Sequence, residues 1–134
     1  MHQPLEGIAA ADARLGRPFP LPRIALPLAR WVEVTEVGAG AEVAWNLDDS
    51  RPGAPGRLAL YAGREPPPAR ELPGGDEPQV RGGVAWRRAP LREAQPPLRP
   101  VQELSWRAGG LHLRITAQGP WEDAALEAIV ASIP

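Results

Sequence analysis

The sequence predicts an α+β fold: a single antiparallel sheet of about six strands, with a C-terminal helix packed on one face and a short N-terminal helix. Three observations carry that expectation. Leu111, Leu113 and Ile115 alternate with His112, Arg114 and Thr116, the period of a strand with one buried and one wet face. Leu104 and Trp106 alternate likewise with Glu103, Ser105 and Arg107, and Ala108-Gly109-Gly110 supplies the turn that pairs the two runs. Leu126, Ile129, Val130 and Ile133 then fall at i, i+3, i+4 and i+7, one apolar stripe on a helix that roofs the sheet.

Taken in order, residues 4–15 read as a short helix with Leu5, Ile8 and Leu15 on one side, Asp12 interrupting that face and Gly16 stopping it. The prolines from Pro18 to Pro22, and Pro27, leave an extended arm that packs Phe19 and Leu21 on the sheet. Residues 31–37 and 41–47 alternate as strands around a Gly38-Ala39-Gly40 turn, with Val43, Trp45 and Leu47 pointing inward. Residues 48–56 are a loop and residues 57–62 a third strand. Residues 63–78, with Pro66, Pro67 and Pro68, read as a long exposed loop. Residues 80–87 read as a fourth strand in which Gly82-Gly83 marks a bulge or a close backbone approach, and a proline-rich connection from Pro90 to Pro100 leads to the closing hairpin. Gly119-Pro120 ends the sheet and places proline at the first helical position, with Glu122 and Asp123 at the positive end of the helix dipole. The organisation expected is one domain over residues 1–134: helix and arm over 1–22, sheet over 23–117, helix over 119–133. One sheet face is expected under helix and arm, the other largely in water.

Composition limits the function. At 134 residues the chain is long enough for a core without disulfides, and it has no cysteine, so thiol chemistry is excluded. No run is long and apolar enough to cross a bilayer, and residues 1–6 lack the basic and apolar regions of a leader. The expectation is a cytoplasmic protein if the chain is complete, and an extracytoplasmic one if it is an excised domain of a membrane-anchored protein. All 15 basic residues are arginine, as in chains from GC-rich genomes, and the net charge of −1 argues against nucleic-acid binding. That charge is uneven: residues 79–115 hold seven Arg against two Glu, whereas residues 116–134 hold three acids and no base.

The chain resembles an uncharacterised bacterial domain found as the extracytoplasmic part of membrane-anchored anti-sigma-like and sporulation-associated proteins. The resemblance lies in Trp106, the turn glycines, the Leu111-x-Leu113-x-Ile115 strand and the stretch Leu126 to Ile133, with a weaker match from Leu15 to Pro22. It implies a sheet-and-helix fold like that of lipoprotein carriers, a regulatory role linked to sigma factors, and no catalytic residues. The chain departs from the pattern by carrying Gly119-Pro120 where members carry a Ser or Thr helix cap, and by having no transmembrane segment.

No cofactor is expected. His2 and His112 are the only histidines, and His112 reads as an outer-face surface residue. Asp48, Asp49 and Ser50 lack the spacing of a calcium loop and suit an Asx turn. None of Ser50, Ser105 and Ser132 lies in a nucleophile turn, and Gly38-x-Gly40 is a turn rather than a phosphate cradle. Two features remain. Arg81, Arg87, Arg88, Arg92 and Arg99 read either as solvated charge or as a docking face for an anion or an acidic protein partner. Trp45, Trp86 and Trp106 read either as core or as the lining of an apolar cleft between sheet and helix, suited to an apolar small molecule. The expected function is a non-enzymatic sensor or protein-interaction module; the alternative is a carrier of an apolar, lipid-like ligand.

Overall fold

A computed structural model describes residues 3–4, 7–24, 26, 31–47, 56–68, 79–90, 100–119 and 121–133. Among them, eight strands and two helices follow in the order β1 (Gln3–Pro4), α1 (Ile8–Leu15), β2 (Trp31–Val37), β3 (Gly40–Asn46), β4 (Arg57–Gly63), β5 (Gln79–Arg81), β6 (Val84–Pro90), β7 (Pro100–Ala108), β8 (Leu111–Gln118) and α2 (Asp123–Ser132). The strands form one sheet in the order β1-β2-β3-β4-β8-β7-β6-β5, every neighbouring pair antiparallel. Two meanders, β1 to β4 and β5 to β8, thus meet at the pairing of β4 with β8.

The α+β class and the antiparallel sheet are as the sequence predicts; the strand count is not. Seven strands of three or more residues, with the two-residue β1, replace the expected six. The reading of 80–87 as one bulged strand is wrong, because Gly82 and Gly83 (φ 55° and 80°) form the two-residue turn between β5 and β6. Gly109 and Gly110 (φ 59° and 77°) do the same between β7 and β8. Two successive positive φ values are what a tight hairpin turn needs and what only glycine supplies without strain.

Period two sorts the side chains. Val34, Val43, Leu60, Ile115, Leu104 and Trp86 lie in register across six strands on one face, all buried. Both helices cover that face. From α1 come Ala11 and Leu15, and from α2 Leu126 and Ile129, with Val130 and Ile133 half-buried beside them. The helices start and stop differently from expectation. Helix α1 begins at Ile8 rather than at residue 4, Pro4 pairing in β1 instead, and it stops at Gly16 in the left-handed region, as predicted; Leu5 lies outside the described residues. Asp12 does not spoil its face, because its Oδ1 accepts a hydrogen bond from the Phe19 N–H at 2.7 Å and fixes the arm, burying Phe19. Helix α2 begins at Asp123 with Glu122 as N-cap, so proline is not at its first position.

The other face is not the largely wet surface predicted. Glu42, Tyr61, Arg114, Thr116 and Glu103 are all buried there. The chain leaving β4 in mid-sheet must reach β5 at the far edge, and its first residues lie over this face. The Tyr61 hydroxyl donates to the Glu65 carbonyl at 2.8 Å, and Arg114 Nη1 to the Pro68 carbonyl at 3.1 Å. Residues 64–68 are exposed, as expected, apart from half-buried Pro67, but the Glu65 and Pro68 carbonyls fasten them to the sheet; residues 69–78 of the expected loop lie outside the described residues.

Candidate functional site

Three transverse rows of the helix-free face build the site. Arg107 of β7 is opposite His112 of β8, Ser105 opposite Arg114, and Glu103 opposite Thr116, with Arg87 of β6 beyond Glu103. Alternation brings Glu103, Ser105 and Arg107 to one side of β7 and His112, Arg114 and Thr116 to the same side of β8. All of these but Thr116, together with Arg87, Pro66, Pro67 and Pro68, line a groove of about 370 Å³, bordered by Trp106 and Leu113. From Glu103 to Arg107 it runs about 13 Å at the rise of an antiparallel strand.

The groove carries three arginines and one carboxylate besides His112. Arg114 is held at the floor, 3.8 Å from the Glu42 carboxylate and 5.8 Å from the centre of the Tyr61 ring. Arg87 lies 3.9 Å from Glu103, a long pair, and Arg107 is exposed at the mouth. Burial pushes the Tyr61 phenol above its ordinary pKa, while the positive charge of Arg114 pulls it the other way. Ser105 and His112 share the groove, and no hydrogen bond joins them.

Of the five arginines singled out in the sequence, the groove takes Arg87. Arg81 lies elsewhere, 3.2 Å from Asp123 and over the Trp86 ring at 5.0 Å. Arg88 belongs to β6 but its side chain is outside the described residues, as are Arg92 and Arg99 altogether. Asp48, Asp49, Ser50 and His2 fall outside them too. Sequence reasoning passed over Arg107 and Arg114, although the strand alternation already placed them beside His112 on the outer face.

The three tryptophans do not meet in one cleft. Trp86 is buried below a second groove, of about 310 Å³, lined also by Arg81, Gly82, Val84, Glu127, Val130 and Ala131. Trp45 and Trp106 are half-buried and pack against the core without lining it. Among the described residues, no group of three or more His, Cys, Asp or Glu is placed to hold a metal, and no helix is long and apolar enough to cross a membrane.

Comparison with known proteins finds no family model, no curated protein and no solved structure that matches this chain.

Proposed function

We propose that the protein is a non-enzymatic interaction module whose helix-free face takes an acidic segment of a protein partner. The observation that carries this is the groove itself: an elongated concavity walled by proline and lined by Arg87, Arg107 and Arg114 against a single Glu103. An extended chain of about four residues fits a 13 Å length, and its carboxylates would meet guanidinium donors suited to them. The regulatory role that the resemblance of residues 103–133 implies fits a module that docks a partner, with components of sigma-factor control as the partner class it suggests.

Nuclear magnetic resonance titration with an acetylated oligoglutamate tests this. Shifts should concentrate at Ser105, Arg107, His112 and Arg114 and vanish in the double variant Arg87→Glu/Arg107→Glu. Shifts scattered over the helix face, or unchanged by the charge reversal, overturn the proposal.

A second reading, a carrier of an apolar ligand, is favoured by the mostly apolar groove between the β5–β6 turn and α2, with Trp86, Val84 and Val130 around it. Its volume is at the small end for a ligand pocket. A carrier should retain ligand through purification, so native mass spectrometry showing only the bare chain mass counts against it.

A further inference from the structure

The sheet ends at β1 on one side and at β5 on the other. Strand β1 is too short to close its side: it pairs with Thr35 and Glu36 of β2, and among the described residues no strand lies against the outer side of Trp31, Val32 and Glu33. That stretch is apolar and open, Trp31 being 46% and Val32 48% exposed. Helix α1 stays clear of it, since Arg14 ties that helix to Gly38, Gly40 and Glu36 at the other end of the strand. Unpaired backbone groups beside exposed apolar side chains are a template for another strand, and residues 31–33 hold no proline to block one.

The order of the three residues says which strand fits. The Trp31 indole N–H donates to the Glu33 carboxylate at 2.8 Å, so a donor and an acceptor flank Val32 on one face. A two-fold axis through Val32, perpendicular to the sheet, sets Trp31 of each copy opposite Glu33 of the other and Val32 opposite Val32. Each indole then meets the other copy's carboxylate, and the two valines cover each other. An axis through Glu33 would instead face two carboxylates and bring Trp31 against Thr35, which β1 already holds. We infer that the open edge of β2 is a self-association site, where a second copy of this chain continues the sheet antiparallel in the Val32 register. Edge β5 offers less, being three residues long with Arg81 already paired with Asp123. The site lies in the other half of the sheet from β7 and β8 and does not depend on their groove.

Cysteine crosslinking tests both the partner and the register, because the chain has no cysteine of its own. Opposite residues of antiparallel strands have Cα atoms about 4.5–5.5 Å apart, within disulfide reach. Under a mild oxidant, Val32→Cys should form a covalent dimer roughly tenfold faster than Val80→Cys, although Val80 is the more exposed at 73%. Sedimentation of the unmodified protein should show its mass rising toward two chains as concentration approaches about 1 mM, the range for so small an interface. Val32→Lys, a change at an exposed site, should hold it at one chain. Equal crosslinking of the two cysteine variants overturns the inference, as does an unmodified protein that stays at one chain throughout. So does a Val32→Lys protein that still pairs.

Discussion

Tyr61 is where packing, hydrogen bonding and charge meet in one side chain. Its ring is fully buried on the helix-free face, its hydroxyl donates to Glu65, and two glycines make room for it. A methyl group at Gly63 would run into the Tyr61 hydroxyl, and one at Gly40 into the ring and the Ala62 carbonyl. Gly63→Ala should therefore cost about 1–3 kcal/mol of stability by overpacking. Urea unfolding checks it, and the cost should shrink in a Tyr61→Leu background if the ring is the obstacle. The phenol also sets an alkaline limit. Because burial raises its pKa in the folded state, the folded protein holds that proton more tightly than the unfolded chain does, whose pKa is near 10.0. The stabilisation is complete below pH 10 and is lost as pH rises through the folded value. With one Tyr, no Lys and no Cys in the chain, no other side chain titrates there. The thermal midpoint should fall above pH 10, and less steeply in Tyr61→Phe. None of this was legible in the sequence, where Tyr61 is merely one residue of a strand; its partners come from 4 to 53 positions away.

At the scale of elements, what could be read was what periodicity writes. The closing hairpin, the β2–β3 hairpin and the apolar stripe of α2 each carry apolar residues at a regular spacing, and each was found where alternation or helical spacing placed it. The strands that were missed are the short ones at the two edges of the sheet. Strand β5 is three exposed residues with Val80 open to solvent, and β1 is two residues on the opposite edge. An edge segment this short repeats nothing, so Gly82-Gly83 looked like a bulge in a longer strand rather than a turn between two. The stripe also makes a graded prediction. Leu126 is fully buried, so Leu126→Ala should cost about 2–5 kcal/mol and Leu126→Asp should prevent folding. Val130 is only half-buried at the edge of the second groove, and Val130→Ala should cost less than Leu126→Ala in the same urea series. Equal costs would mean that α2 is seated differently on the sheet.

Across the whole molecule, the route of the chain explains why the helix-free face was misread. The sequence places two helices on one side, but only the structure shows that residues 64–68, where the chain leaves β4, lie over the other. A face covered in this way can bury charge, and the pair of Arg114 with Glu42, both about 95% buried, sits beneath Pro68. The same residues turn the outer ends of β7 and β8 into a groove walled by Pro66, Pro67 and Pro68 instead of a flat sheet. The groove side carries Arg87, Arg107 and Arg114, while Glu122, Asp123 and Glu127 lie on and beside α2, where Asp123 pairs with Arg81. Salt distinguishes the two kinds of charge. Arg87 and Arg107 are open to solvent enough to be screened, whereas the Arg114–Glu42 pair is not. Raising sodium chloride from about 0.05 M to about 0.5 M, which brings the screening length below the length of the groove, should weaken capture of an acidic peptide by roughly tenfold or more. The thermal midpoint should stay nearly constant over the same range, since the buried pair does not feel the added ions. A midpoint that fell in step with affinity would mean the groove's exposed arginines hold the fold together rather than wait for a partner.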